Sequence, residues 1–231
     1  MTKYLSRGLI LALLVFSKTP LKAGSIPEIV ETTKPANVEI VTTESPGEQV
    51  ASSALPTPAI DAKAPFDSGN AFFDKKEYDK AINAFTEAIR LDPNNALAYC
   101  NRGRAYVNKG DYDDAIRDFD EAIRVDPRLA LAYNGRGVAY DSQGKFDKAV
   151  SDYNDAIRLD PKYAPAYNNR GIAYGKQGEY AKAISDFTEA IRLDPNLVPA
   201  YNNRGTAYAK QGNLDKAHAD FATAKRLKAG Q

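Results

Sequence analysis

The chain has 231 residues, of which 31 are Lys or Arg and 30 are Asp or Glu, so its formal net charge is +1. This balance argues against nucleic acid or an anionic membrane as the main partner, because both favour proteins with a strong basic excess. The single cysteine, Cys100, and the single histidine, His218, exclude an internal disulfide and a metal site built from these residue types.

The first 23 residues have the pattern of a secretory signal peptide. Lys3 and Arg7 precede the apolar run 8–16, and small residues end the segment at Ala23. The run is about half as long as a membrane-spanning helix, so we expect cleavage after Ala23; an uncleaved anchor is the alternative. No cysteine closely follows the run, which argues against a lipoprotein. The mature protein is therefore predicted to be exported to a bacterial periplasm or cell surface, or secreted.

Residues 24–61 are rich in Pro, Thr, Ser and Glu and contain no aromatic residue. A segment of this composition cannot bury enough apolar surface to offset the entropy that it loses on ordering. We therefore predict a disordered linker. The alternative is a recognition segment, since tails rich in Pro and Thr can be bound by other proteins.

The rest of the chain repeats one 34-residue unit five times. A fixed period of this length predicts an array of stacked units, whose usual role is contact with another molecule. The array is large enough for one continuous hydrophobic core, and the remainder is too short for a second globular domain. The units are residues 62–95, 96–129, 130–163, 164–197 and 198–231.

Each unit shows the pattern of two helices when its residues are numbered from 1 to 34. The first helix has Tyr at position 4, Gly at 8 and Tyr at 11, which lie on one helical face. The second has Ala at 20, an aromatic residue at 24 and Ala at 27. Glycine at position 15 separates the helices, and Asp-Pro at 31 and 32 ends the second. In the second unit these residues are Tyr99, Gly103, Tyr106, Gly110, Ala115, Phe119, Ala122, Asp126 and Pro127.

These residues resemble the tetratricopeptide repeat over the whole of 62–231. The resemblance implies an all-α fold, a right-handed superhelical solenoid of five two-helix repeats. It also implies a non-enzymatic protein that binds a protein or an extended peptide. The motifs Asn-Arg-Gly and Ala-Ile-Arg-Leu-Asp-Pro are similar to those of bacterial members. The first unit departs from the family pattern at Pro65 and Ser68, which suits an N-terminal cap.

Position 7 is arginine in four units, where the family usually has an aliphatic residue. Position 23 is aspartate in the same four units, whereas the first unit has Ser68 and Ala84 at these positions. Because the charge and its partner are absent together, we predict that each arginine pairs with the aspartate of its own repeat. The pairs would be Arg102 with Asp118, Arg136 with Asp152, Arg170 with Asp186, and Arg204 with Asp220.

The last unit differs from the others on one face of its second helix. Positions 21 and 28 are aliphatic in the first four units, but they are His218 and Lys225 in the last. Polar residues on the outer face of a terminal repeat keep a solenoid soluble, so we predict that this unit closes the array. His218 is thus interpreted as part of a polar end rather than as a catalyst or ligand.

In the family, positions 2, 5, 9, 12 and 13 of the first helices line a concave face that binds partners. Here these positions are more apolar in the first units and more polar in the last. Asparagine recurs at positions 5 and 6, and a row of side-chain amides could hold the backbone of an extended peptide. The alternative is that these asparagines satisfy helix starts or loops. The candidate binding residues are Phe66, Asn70, Phe73, Leu97, Asn101, Arg104, Asn134, Asn168, Asn169, Asn202 and Asn203.

The sequence predicts no catalytic residue, no cofactor and no metal site, because it contains no phosphate-binding loop and no nucleophile beside a histidine. A clamp for the C-terminal carboxylate of a chaperone is also excluded, because Phe66, Leu131 and Gly135 occupy places that need polar or basic groups. Cys100 is interpreted as a packing residue rather than a reactive thiol.

The leading hypothesis is therefore a scaffold that binds a peptide or protein in its concave groove, in a bacterial envelope assembly. The alternatives are a self-assembling structural protein and a secreted effector or adaptor that acts on host proteins.

Overall fold

The computed structural model describes residues 62–230. The predicted signal peptide (1–23) and linker (24–61) lie outside the described residues. Within 62–230 the fold is built from helices alone, two in each 34-residue unit, which confirms the all-α prediction. The helices are α1 (Lys63–Asp74), α2 (Tyr78–Leu91), α3 (Ala96–Lys109), α4 (Tyr112–Val125), α5 (Ala130–Ser142), α6 (Phe146–Leu159), α7 (Ala164–Lys176), α8 (Tyr180–Leu193), α9 (Val198–Lys210) and α10 (Leu214–Ala229).

The residue at position 15 makes the turn between the two helices of a repeat. In the second repeat this residue is Gly110, whose φ of 90° lies in the left-handed region that glycine adopts without a steric penalty. Its N–H donates to the carbonyl of Val107 at 3.1 Å, which satisfies a carbonyl at the end of α3. The first repeat makes the same turn with Lys76 at φ 61°, at a cost of about 1–2 kcal/mol relative to glycine.

The Asp-Pro pair ends the second helix of a repeat and connects it to the next repeat. Asp126 caps α4 in an extended conformation, and its Oδ1 accepts a hydrogen bond from the N–H of Arg128 at 2.9 Å. The carbonyl of Pro127 accepts a hydrogen bond from the hydroxyl of Tyr133 at 3.4 Å. The tyrosine at position 4 therefore helps to fix the junction between repeats.

The core of each repeat combines one large ring with small residues. Phe119 and Tyr153, both at position 24, are fully buried, as are the alanines at positions 20 and 27. Glycine at position 8 faces the ring: a Cβ added to Gly137 would lie 2.6 Å from Cε1 of Tyr153. The two helices of a repeat can pack this closely only because position 8 has no side chain.

The four predicted pairs of arginine and aspartate are confirmed. Arg136 donates from Nε and Nη2 to the two carboxylate oxygens of Asp152, at 2.9 and 2.7 Å. Its Nη1 donates to Asp120 of the preceding repeat at 2.6 Å. Each arginine thus joins the two helices of its own repeat and also contacts the repeat before it. The same bidentate ion pair, called the fork below, joins Arg102 with Asp118, Arg170 with Asp186, and Arg204 with Asp220.

The outer face of the last repeat is partly exposed. Phe221 is 38% exposed, whereas Phe187, at the same position in the preceding repeat, is 3% exposed. His218 and Lys225 are exposed on α10, as the sequence predicts. The end of the described array is thus polar at positions 21 and 28 but keeps an exposed aromatic ring at position 24.

Candidate binding face

The first helices of the repeats lie on the inner side of the curved array. Each contacts the first helix of the next repeat, from α1 through α9. Successive second helices within residues 62–230 make no such contacts. The array therefore curves towards its first helices. We call the surface formed by α1, α3, α5, α7 and α9 the concave face.

The first two repeats contribute apolar side chains at and near this face. Phe73 and Leu97 are partly buried against the core of the first repeat. Phe66 is only 6% exposed, and the centroid of its ring lies 5.9 Å from that of Phe85. Contrary to the prediction, Phe66 is therefore a core residue, because its ring fills the space between α1 and α2.

Arg104 lies at position 9 of the second repeat and is buried. Its guanidinium group lies 4.8 Å from the centroid of the Phe73 ring, and its Nη1 donates to Oδ1 of Asn101 at 3.1 Å. Burial lowers the pKa of Arg104. The structure thus brings together three of the predicted binding residues, with a cation held over an aromatic ring.

The predicted row of asparagines forms hydrogen bonds from one repeat to the next. Asn169 Nδ2 donates to Asn134 Oδ1, and Asn203 Nδ2 donates to Asn168 Oδ1, both at 3.0 Å. In each case position 6 of one repeat donates to position 5 of the repeat before it. The first link in the array is different, since Asn101 donates to Asn70 at position 9, also at 3.0 Å.

These bonds change the role of the row. Amide groups that pair with each other across repeats stabilise the stacking and are not free to bind a second molecule. The prediction that the whole row holds a peptide backbone is therefore replaced by a structural role for most of its members. Asn202 is exposed and Asn203 is partly exposed. The buried members are Asn101, Asn134, Asn168 and Asn169.

Asn168→Ala is expected to lower the free energy of unfolding by about 1–2 kcal/mol, because it removes the acceptor for Asn203 and the donor to Asn169. Asn202→Ala is the matched control at the same position of the next repeat, and it should change stability by less than about 0.5 kcal/mol. Urea unfolding followed by circular dichroism measures both values. Equal effects of the two substitutions would contradict the structural role.

The sequence interpretation missed an ion pair on the concave face. Lys176 of α7 donates to Oδ2 of Asp141 on α5. Asp141 is buried, which raises the pKa of its carboxyl group, while the hydrogen bond from Lys176 opposes the rise. The two residues are 35 positions apart, as are Asn169 and Asn134. Opposite charges at positions 12 and 13 of adjacent repeats are the signal that could have found this pair.

The described residues offer no centre for covalent or metal chemistry. Cys100 is fully buried, and this burial raises the pKa of its thiol to about 12, so the thiolate is scarce at neutral pH. Residues 62–230 contain no group of His, Cys, Asp and Glu able to hold a metal ion. None of the helices in this range has the length and apolar composition of a membrane span.

Comparison with known proteins agrees with this architecture. A family model described as TPR repeat matches residues 69–110, and models described as tetratricopeptide repeat match 100–164, 164–197 and 187–219. In its crystal structure, MamA protein has a fold similar to that of this chain, with a TM-score of 0.59 and a sequence identity of 30%. The match covers 73% of this chain and 92% of MamA. The chain belongs to the tetratricopeptide repeat family. The ten helices of residues 62–230 thus form a superhelical solenoid of tetratricopeptide repeats.

Two further proteins show how far the likeness extends. TTC0263, a thermophilic tetratricopeptide repeat protein from Thermus thermophilus, is 25% identical with a TM-score of 0.65, over 72% of this chain and 91% of that one. Small glutamine-rich tetratricopeptide repeat-containing protein beta from Rattus norvegicus is 50% identical over 36 residues. That match covers 16% of this chain and 12% of the rat protein. The likeness to the rat protein is therefore limited to about one tetratricopeptide repeat.

Membership of the family and the repeat fold make this chain a scaffold for protein–protein interaction.

Proposed function

We propose that the protein binds an extended segment of a partner protein on its concave face and holds it in a bacterial envelope assembly. The observation that carries the proposal is the variation between repeats at positions 9 and 12 of the first helices. Position 8 is glycine and position 24 is aromatic in all five repeats, whereas these two change from repeat to repeat. They are Asn70, Arg104, Val138, Ile172 and Thr206 at position 9, and Phe73, Val107, Asp141, Gly175 and Ala209 at position 12.

This variation supports binding because the repeat fold does not require it. A side chain that only stacked identical units would be expected to recur with the period of the array. Here positions 9 and 12 instead hold aromatic, cationic, aliphatic and acidic residues in different repeats, buried in the second and third repeats and exposed at Thr206 and Ala209 in the last. This variation along the array suits one particular partner. The affinity would be set by the quality of a few contacts rather than by the area of the interface.

Site-specific photocrosslinking in the native cell tests this proposal. A benzophenone side chain at Asn108, which is exposed at position 13 of the second repeat, should crosslink one defined protein. Arg117, exposed on α4 of the same repeat, is the matched control and should give no such product. Crosslinks from Arg117 alone, or the same products from both positions, would contradict binding on the concave face.

Export is the second part of the proposal, and it is supported by the signal-peptide pattern of residues 1–23. The expected mature protein begins at Gly24. Cell fractionation followed by mass spectrometry of the N-terminal peptide should find this form in the periplasmic or cell-surface fraction. A full-length chain confined to the cytoplasm would contradict export, and a mature chain in the medium would favour the secreted effector.

A self-assembling structural protein remains the second candidate function. It is favoured by the exposure of Leu214 (57%) and Phe221 (38%), seven residues apart on α10. Apolar side chains on the outer face of a terminal repeat can pack against another copy. Light scattering at rising concentration separates the candidates: growth in mass that Phe221→Gln abolishes supports self-assembly, and a constant monomer mass excludes it.

A further inference from the structure

The junctions between repeats are built from the same positions of each incoming first helix. Positions 3 and 10 are alanine in every repeat, and in repeats two to five these alanines are at most 4% exposed. Ala98 and Ala105, for example, pack with Ile82 of the preceding repeat. Positions 6, 7 and 14 carry the side chains that donate hydrogen bonds back to that repeat. These five positions therefore form one stacking face of the helix.

The two ends of the array expose the two halves of such a junction. In the first repeat the stacking positions are exposed, and we call them the α1 face: Ala64, Asp67, Ser68, Ala71 and Lys75. In the last repeat the positions that receive a following first helix are 18, 21, 24, 25 and 28. They are exposed as well, and we call them the α10 face: Asp215, His218, Phe221, Ala222 and Lys225. Within residues 62–230, neither face is covered by another repeat.

The first match between the two faces is an ion pair. Inside the array, Lys109 at position 14 of the second repeat lies 2.6 Å from Asp79 at position 18 of the first. Glutamines at position 14 make the equivalent hydrogen bonds at the next two junctions, at 2.7 and 2.8 Å. The α1 face has Lys75 at position 14, and the α10 face has Asp215 at position 18. Two copies can therefore form the link that joins the first and second repeats.

The second match is a bond that both faces lack. At all four internal junctions the arginine at position 7 donates from Nη1 to position 25 of the preceding repeat. The first repeat has Ser68 in place of this arginine, and the last has Ala222 in place of its acceptor. An arginine stacked on Ala222 would lose that hydrogen bond, whereas Ser68 has no guanidinium group to satisfy. The α10 face thus suits the first repeat better than it suits any inner repeat.

Charge favours contact between opposite ends over contact between like ends. Residues 198–231 carry six Lys or Arg and two Asp, whereas residues 62–95 carry five Lys or Arg and six Asp or Glu. A twofold dimer of two α10 faces would bring two strongly basic repeats together, which is unfavourable. An α1 face offers Asp67 near its centre instead.

We propose that copies of this chain associate end to end, with the α1 face of one copy packed on the α10 face of the next. Each position meets the one that it meets inside the array, so Lys75 donates to Asp215 and α1 covers Phe221. The contact joins two different faces, and it therefore produces open chains of copies that continue the superhelix. His218 and Lys225 keep the free end soluble and the association weak. The inference rests on self-assembly, the second candidate function, and specifies the two faces that meet.

A lysine in the middle of the α1 face tests the contact. Ala71→Lys is accommodated on the surface of the separate chain but places a long cation against the basic last repeat. Asn83→Lys adds the same charge at an exposed site of α2 and is the matched control. Circular dichroism and urea unfolding first establish that each variant is folded. Sedimentation equilibrium up to about 1 mM protein should show a mass that rises with concentration for the wild type and the control, and association about tenfold weaker for Ala71→Lys.

An exchange of charges tests the register of the two faces. Lys75→Glu and Asp215→Lys should each weaken association by about threefold to tenfold, because like charges then meet at the junction. An equimolar mixture of the two variants should recover the association of the wild type, because every junction between unlike copies again joins opposite charges. A contact that did not pair position 14 with position 18 would give no recovery.

A wild-type mass that stays monomeric up to about 1 mM would overturn both this inference and self-assembly. Growth in mass that Ala71→Lys leaves unchanged, or that Asn83→Lys weakens equally, would retain self-assembly and remove the end-to-end contact. Charge variants that do not weaken association, or whose mixture does not recover it, would also remove it. Photocrosslinking at Asn108 is independent of these measurements, because end-to-end stacking leaves the concave face open to a partner.

Discussion

Arg136→Leu is expected to lower the free energy of unfolding by about 3 kcal/mol, because it leaves the carboxylate of Asp152 buried without its two hydrogen bonds. Asp152→Ala should lower the free energy of unfolding by about 2 kcal/mol, which is less than the effect of Arg136→Leu. The reason is that the side chain of Arg136 is 21% exposed and keeps its contact with Asp120. In the double variant the free energy of unfolding should fall by about 2 kcal/mol less than the sum of the two single effects. Urea unfolding of the four proteins measures this coupling.

The pair Arg158 and Asp155 on α6 is the control for this cycle. These side chains are 66% and 37% exposed, so their coupling should stay below about 0.5 kcal/mol. Additive effects of Arg136→Leu and Asp152→Ala would contradict the structural role of the fork.

The pH dependence of Arg136→Leu gives a second check. Burial raises the pKa of Asp152, and the hydrogen bonds from Arg136 oppose this rise. Without Arg136, the pKa of Asp152 in the folded state should rise further above its value in the unfolded chain. Protonation then favours the folded state. The deficit, which is the difference in free energy of unfolding between the wild type and Arg136→Leu, should therefore be largest at neutral pH and shrink as the pH falls towards about 4. A deficit that is constant with pH would show that lost packing, rather than an unpaired carboxylate, causes it.

Gly137→Ala is expected to destabilise the protein by about 2–3 kcal/mol. Its Cβ would lie 2.6 Å from the ring of Tyr153, which is fully buried and cannot move aside without disturbing the core. Thermal and urea unfolding of the purified variant measure the loss. The same substitution at the equivalent glycines of the other repeats should have the same sign.

Gly175→Ala is the control, since this glycine also lies inside a helix, α7, but has no atom within 4 Å of an added Cβ. Alanine is the better helix former by about 1 kcal/mol, so this variant should be more stable than the wild type. If both substitutions changed stability in the same direction, close packing at position 8 would not explain its glycine.

Features that lie within one repeat could be predicted from the sequence. Gly110 makes its turn through backbone conformation alone, and Asp126 ends its helix through its own side chain and the proline that follows. The fork between Arg136 and Asp152 could be predicted because the first repeat lacks both charges. Each of these features depends on a few residues whose spacing is fixed by the helices of one repeat.

Features that depend on how neighbouring repeats stack could not be predicted in the same way. The sequence places asparagines on a helical face, but it does not give the distance from Asn169 to Asn134 in the repeat before it. The contact between Lys176 and Asp141 was missed for the same reason. Phe66 is an exception that lies within one repeat: the family pattern places its position on the concave face, but its ring reaches Phe85 of the same repeat in the core. In all three cases the packing between helices decides which side chains are left for a partner.

The most direct test of the account is the hydrogen-exchange footprint of the partner captured by photocrosslinking. Amide exchange of the protein is measured by mass spectrometry with and without the purified partner. The account predicts that the partner slows exchange in α3, α5 and α7, which form the centre of the concave face, and leaves α4 and α6 unchanged. Slower exchange confined to α4, α6 and α8, with no change in α3, α5 and α7, would contradict binding on the concave face.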